Sequence, residues 1–406
     1  MRFHVVALPH THVTDAFSAC AFTMKVKNFC RMMIERGHDV VLYAGEQNAA
    51  PVTEHVVCID EAARAAHVGA RHYTEAPWEP SSAAWSAFLA NAIAGIRVRA
   101  GQRDFICLIG GYAQKAISDA FPAHLCVEIG VGYGGCFLPF KVFESYAWMH
   151  TVYGARSMNN PCGVDGTWFD AVIPGYLDPA EFPVDIKEKR MAIEAGYPNS
   201  IARYGVIDWG LCDRTPQDRA RTKHQRHLFY ATHDKDTHDP LDYFLFVGRL
   251  IDRKGYATAQ EVCRRLGKRL VLAGPGEQSG YGEFVGVVGP EERGDLMAGA
   301  TAVFAPTTYI EPFGNVAIEA MACGTPVITT DWGAFTETNI HGVTGFRCRS
   351  LAEFIDAARR APSLHRSVIR KHALDHYSLD VIGAQYERYF ERLLTLWGEG
   401  WYQLAA

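Results

Sequence analysis

The sequence predicts an α/β protein of two domains, each a parallel sheet covered by helices, and three observations carry the prediction. The chain has 406 residues, 48% of them apolar, more than one hydrophobic core usually accommodates. Short apolar runs of strand length alternate with helical periodicity near the start of the chain and again from Asp242. Such alternation builds parallel sheets with helices on both faces. Between the two stretches lies a charged segment with little periodicity.

Phe3 to Leu8 reads as a strand, followed by a loop rich in His and Thr. Cys20 to Glu35 places Phe22, Val26, Phe29 and Met33 at helical spacing, and Gly37 suits the helix end because glycine adopts the left-handed conformation without a Cβ clash. Asp39 to Ala44 is the next strand, with others expected at Phe105 to Ile109, Leu125 to Ile129 and Ala171 to Pro174. The charged segment, 183–240, holds four of the seventeen histidines. Beyond it, strands are expected at Tyr243 to Val247, Arg269 to Ala273, Phe284 to Val288, Ala302 to Pro306 and Pro326 to Thr330, with a helix from Thr258 to Leu266 ended by Gly267. Leu379 to Trp397, with Ile382, Tyr386, Phe390 and Leu393 on one face, reads as a closing helix. Ligands of open parallel sheets lie beyond the carboxyl ends of the strands, so chemistry is expected in the loops that follow strands.

Charged residues make up 21% and nearly cancel, leaving a net charge of -5, which does not call for a polyanionic partner. Eleven cysteines form no C-x-x-C pair and several sit in apolar runs, as expected for reduced, buried thiols. The apolar run after Met1 is too short for a signal-peptide core, and no stretch approaches the ~18 residues needed to span a bilayer. The expectation is a soluble, cytoplasmic protein.

The segment from Ala302 to Thr330, AVFAPTTYIEPFGNVAIEAMACGTPVITT, reads strand, loop, helix, glycine stop, strand. Its helix should begin near Gly314 and Asn315, so the amides of Gly314, Asn315 and Val316 point out of the helix start with the positive end of the dipole. That is an anion site suited to a diphosphate. Glu319 lies one turn inside this otherwise apolar helix, where a carboxylate needs a partner; paired ribose hydroxyls would supply one, as would a salt bridge. Glu311, eight residues earlier, would sit farther along the ligand, where a sugar ring would lie. A second loop, VGRLIDRKG at 247–255, follows a strand directly. Gly248 allows the tight turn, and Arg249 and Lys254 could neutralise a pyrophosphate leaving group.

These motifs make the stretch from Tyr243 to Phe346 similar to the donor domain of retaining glycosyltransferases of family 4. LAGPG at 272–276, EPFGNVAIEAMACGTPVI at 311–328, Gly333, Glu337 and HGVTGF at 341–346 extend the match. RGHDVVLYA at 36–44 and AVIPGYLDPAEFP at 171–183 follow the family pattern more weakly. The resemblance implies the GT-B architecture, two Rossmann-like doubly wound domains facing across a cleft. An acceptor-side domain would take 1–182, a divergent insertion or linker 183–240, a donor domain 241–378, and a helix crossing back to the first domain 379–406. It also implies transfer of a sugar with retention, no metal and no other cofactor, and an acceptor proton drawn by the leaving phosphate. Glu311 would then contact the sugar, Glu319 the ribose, Arg249 and Lys254 the phosphates, and Phe313, Gly314, Asn315 and Val316 the sugar and diphosphate.

The chain departs from that pattern in its first domain. The loop PHTHVTDAFSACAF lacks the Gly-Gly pair that many members bring to the phosphate, and the middle strand HLCVEIGVGYGG lacks their sugar-binding histidine. Glu128 could take that place or pair inside the sheet, and His10 and His12 could touch sugar or acceptor or merely be hydrogen-bonded within their loop. Gly130 to Gly135 satisfies G-x-G-x-x-G, but Pro139 blocks the helix that a dinucleotide fold would need. His224, His227, His233, Asp234, Asp236 and His238 match no closed zinc spacing. The basic run Arg214, Arg219, Arg221, Lys223 and Arg226 reads as solvated, with contact to nucleic acid or a membrane surface left open. The acceptor itself stays open among lipid, glycan, metabolite and modified nucleic-acid base. A nucleotide-sugar epimerase or hydrolase of the same architecture, or a nucleotide-sugar-binding protein without catalysis, are the competing readings.

Overall fold

The computed structural model describes residues 1–157, 160–182 and 242–397. The chain divides into two compact units, the first made of Met1–Gly175 with the segment from Leu379 onward, the second of Tyr176–Ser378. The histidine cluster and the basic run between Arg214 and His238 lie outside the described residues.

In the first unit, seven parallel strands, β1 (Arg2–Val6), β2 (Asp39–Gly45), β3 (Glu54–Ile59), β4 (Phe105–Leu108), β5 (Leu125–Val131), β6 (Phe140–Phe143) and β7 (Ala171–Val172), stand in the order 3-2-1-4-5-6-7. The register sets Phe3 of β1 opposite Val40 of β2 and Phe105 of β4. Every residue of β4, β5 and β6 is buried, because helices cover both faces of such a sheet; central strands therefore read as unbroken apolar runs. The helices are α1 (Ala21–Glu35), α2 (Glu61–Val68), α3 (Ala83–Arg97), α4 (Lys115–Ala120) and α5 (Tyr146–Arg156). Asp60 starts α2 by accepting the Ala63 amide at 2.7 Å, and Ser145 starts α5 by accepting that of Trp148 at 3.0 Å.

The second unit has six parallel strands, β8 (Tyr243–Val247), β9 (Arg269–Ala273), β10 (Glu283–Gly286), β11 (Ala302–Ala305), β12 (Val327–Thr330) and β13 (Gly345–Cys348), in the order 10-9-8-11-12-13. Its helices are α6 (Tyr256–Leu266), α7 (Pro290–Gly299), α8 (Asn315–Ala322), α9 (Phe335–Thr338), α10 (Leu351–Arg360) and α11 (Arg366–Tyr377). Leu245, Val271, Val303 and Val327 fall in one apolar cluster, whereas Phe244, Phe246, Leu270, Leu272, Phe304 and Ile328 fall in another. Alternate residues of one strand point to opposite faces, so the two clusters are the two covered sides of the sheet. The last helix, α12 (Leu379–Leu394), packs into the first unit: the Phe390 ring lies 4.7 Å from that of Phe3 and 4.8 Å from that of Phe105.

Every described cysteine is a free thiol, and only Cys162 among them is exposed. No helix of the described residues is long and apolar enough to cross a membrane.

Candidate active site

Strands β8 and β11 are neighbours, with Phe244 opposite Ala302, so the loops that follow them meet at one end of the second sheet. Gly255, at φ +74°, is the tightest point: a Cβ there would lie 2.1 Å from the Pro306 carbonyl oxygen. Only glycine satisfies both the backbone angle and that approach. The Thr308 amide donates to the Arg253 carbonyl at 2.9 Å, which ties the loops together.

This juncture brings Lys254 to Glu311. The ammonium donates to Glu311 Oε2 at 2.9 Å, and Thr307 Oγ1 donates to the same oxygen at 3.3 Å. Glu311 is buried, so the pair satisfies a carboxylate that would otherwise be costly to bury. Lys254 and Arg253 each stand 5.0 Å from the Tyr309 ring centre, a cation–π arrangement. Burial, with the Glu311 charge beside it, holds the Tyr309 phenol well above its ordinary pKa. Arg249 is exposed, and its guanidinium has no hydrogen-bond or ion-pair partner among the described residues.

Helix α8 begins beside this pair. Its capping residue Gly314 has φ 85°, and a Cβ there would lie 2.5 Å from the Phe335 ring. The amides of the first turn have no carbonyl within the helix to bond, and Asn315 Oδ1 is buried without a partner among the described residues. Phe313 packs against Tyr377 in the core, so only its backbone is available to a ligand, and Val316 also packs against that core.

For Glu319 the sequence left a ribose and a salt bridge open as partners of the carboxylate. Arg293 on α7 pairs with it at 3.1 Å, so the protein itself supplies the partner. Nothing in the spacing announces Arg293, which lies on another helix. Nor does it announce Tyr309, whose contacts with Arg253 and Lys254 cross the loop juncture, or Thr307, which acts on Glu311 within one loop.

The first-unit candidates lie apart from one another in their bonding. His12 has both ring nitrogens engaged, with Glu61 Oε2 at 2.7 Å and the Gln47 amide at 3.3 Å. Glu128, wholly buried in β5, accepts the amides of Phe137 at 2.8 Å and Leu138 at 2.9 Å. Its carboxyl organises the glycine-rich loop between β5 and β6, and burial raises its pKa to about 7. That loop leads into a strand, with no helix opening after it. His10 is buried, and its Nδ1 has no partner among the described residues.

Residues 242–362 match the family model described as glycosyl transferases group 1. The match lies within the second unit. An uncharacterized glycosyltransferase of Methanocaldococcus jannaschii is 36% identical over 124 residues, 26% of this chain and 32% of that protein. The chain thus spans about a third of the length of the first curated relatives it matches. Two solved structures align over 97% of the chain. One is a glycosyltransferase involved in avilamycin A biosynthesis, at TM-score 0.61, 19% identity and 98% of its own chain. The other is Anabaena HepE in complex with UDP and glucose, at TM-score 0.59, 15% identity and 100% of its own chain. At such identities the likeness shows the fold alone, that of the GT-B glycosyltransferases.

Proposed function

We propose that this protein is a retaining glycosyltransferase of the family 4 type. It transfers a hexosyl or pentosyl group from a nucleoside-diphosphate sugar to an acceptor and uses no metal ion. The observation that carries the reading is the meeting of Lys254, Glu311 and the amide start of α8 at the ends of two adjacent strands, within a group 1 glycosyltransferase domain. The UDP and glucose held by HepE support a nucleoside diphosphate as the leaving group.

Arg249 and Lys254 neutralise the diphosphate, and the amides of Gly314, Asn315 and Val316 donate to its oxygens. Glu311 accepts from hydroxyls of the sugar and Glu319 from those of the ribose, while Arg293 holds the Glu319 carboxylate. The acceptor atom bonds to the anomeric carbon on the face from which the diphosphate departs. The carbon–oxygen bond to phosphate breaks, and the acceptor proton passes to a phosphate oxygen.

Thermal denaturation with UDP, ADP, GDP and dTDP tests the donor site directly. The matching diphosphate at a hundred times its Kd adds about 2.7 kcal/mol of stability. Arg249→Ala or Lys254→Ala removes about 1.5–3 kcal/mol of that binding energy, the worth of a charged hydrogen bond. Transfer from the matching sugar then persists in excess chelator. No shift with any diphosphate, or activity that returns only with magnesium or manganese, contradicts the reading.

A further inference from the structure

The last turn of α11 ends against the donor loop without belonging to the donor site. Tyr377, its final residue, is buried, and its ring meets that of Phe313 edge-on at 5.8 Å. Phe313 lies between Glu311 and Gly314, so a fixed Phe313 ring fixes the start of α8. The ring of Phe335 closes the other side of Gly314. The Tyr377 carbonyl accepts the Leu177 amide at 2.9 Å, which ties in the segment by which the chain enters the second unit.

Two histidines share this turn. His372 and His376, four residues apart and so on one helix face, have ring centres 4.3 Å apart, and these lie 5.9 and 6.1 Å from that of Tyr377. His376 Nδ1 donates to the His372 carbonyl at 2.8 Å, satisfying an acceptor near the helix end. His372 Nε2 is buried without a partner among the described residues. Buried polar atoms are nearly always bonded, and a charge placed there would be costly. The charges acting on His372 are those of His376, which opposes a second cation, and Asp375, which favours one but is held by Lys371 at 2.5 Å. Among the elements packed around the turn, Glu319 on α8 is paired with Arg293, Glu337 on α9 acts on Tyr377, and Asp178 of the entering segment accepts the Ala180 amide at 3.0 Å. Burial, followed by His376, holds the His372 pKa below its ordinary 6.5. An opened turn takes up the proton near 6.5 and the closed turn only at lower pH. The closed turn is therefore fully stable above pH 6.5 and loses stability as the pH falls below it.

We propose that Tyr377 is a positioning residue for the donor loop, acting through Phe313, and that the stacked histidines release its hold on acidification. Protonation of His372 opens the last turn of α11, Tyr377 leaves Phe313, and Glu311 and the start of α8 lose their fixed places. The name donor loop rests on the transferase reading, but the movement itself does not.

Hydrogen exchange on the full chain, near pH 8 and near pH 5.5 with intrinsic rates corrected, reads the movement without a ligand. In the parent, protection of peptides spanning 313–320 and 373–378 should fall about tenfold at the lower pH, the effect of about one pKa unit. His372→Phe, which keeps a ring beside Tyr377 and cannot be charged, should stay protected at both. Titration with UDP, ADP, GDP and dTDP reads the consequence. The diphosphate that binds the parent should lose about ten times more affinity on acidification than it loses in His372→Phe, because the phosphate's own titration is common to both. Tyr377→Leu should weaken binding at the higher pH as well, and Tyr377→Phe should restore it. Should Tyr377→Leu fail to fold, His372→Phe carries the test. Equal acid losses in the parent and His372→Phe, in either measurement, or unchanged affinity in Tyr377→Leu, overturn the proposal. If no diphosphate binds the parent at either pH, the donor assignment falls instead, and the exchange measurement still decides the turn.

Discussion

Glu311 and Glu319 lie eight residues apart, yet the structure gives each its own cation: Lys254 for Glu311 and Arg293 for Glu319. Replacing Glu311 by Gln frees Lys254 for a diphosphate, so affinity for the free nucleoside diphosphate should hold or rise. Turnover should fall by about 2.7–4 kcal/mol in barrier, the usual loss of one aligned polar partner. Glu319→Gln should weaken donor and free diphosphate alike, because contacts present throughout the reaction mainly set affinity. Calorimetry beside steady-state rates separates the two, and diphosphate affinity lost in Glu311→Gln with normal turnover would reverse the roles. A third acid behaves differently. Glu128 titrates near 4.5 when unfolded and, through burial, near 7 in the fold, so the folded state holds its proton more tightly. Its stabilising contribution is complete below pH 4.5 and is lost as pH rises to 7. Both amide bonds fall on Oε2, which the oxygen of Gln can replace. Glu128→Gln should therefore gain stability over the parent by up to about 3 kcal/mol between pH 4.5 and 8. A difference that stays flat across urea titrations in that range would refute this.

At the scale of elements, legibility followed polarity. Strands β8 and β9 span the expected residues, Tyr243–Val247 and Arg269–Ala273, since each is apolar apart from Arg269 and is followed directly by glycine. β1 stops at Val6 although the apolar run reaches Leu8, and the Gln114 side-chain amide donates to the carbonyls of Val6 and Ala7 at 3.3 and 2.8 Å. β6 escaped notice because Lys141 lies in its middle; Asp170 at 3.0 Å and the Leu138 carbonyl at 2.7 Å make that burial tolerable. β10 begins at Glu283, one residue before the expected Phe284, and ends at Gly286, two before Val288; its charged first residue is buried against Arg269 at 2.7 Å. The edge strand β3 is half exposed and carries no clean pattern. The site divides in the same way. Gly248, Lys254, Glu311 and the start of α8 are legible because backbone geometry and local spacing dictate them. Arg293 and Tyr309 are not, because each acts through a partner distant in sequence.

Across the whole molecule, the chain leaves the first unit at Gly175 and returns to it at Leu379, so the first core is completed by a helix that follows the entire second unit. Phe390 of that helix is fully buried among Phe3, Phe29 and Phe105. Phe390→Ala should cost the first unit about 3–5 kcal/mol, the usual range for emptying an aromatic site. The half-buried pair between Arg36 and Glu387, at 2.7 Å, contributes much less, about 0–1 kcal/mol. Neither apolar cluster of the second sheet includes a residue of α12, so the loss should not spread to the second unit through its core. Urea unfolding of Phe390→Ala should then separate into two transitions, the earlier belonging to the first unit. A ligand stabilises only the state it binds, so a nucleoside diphosphate that binds the parent should move the later transition and leave the earlier one in place. Unfolding that stays in a single step and shifts as a whole with the diphosphate would show that the two units unfold together, and would refute their independence.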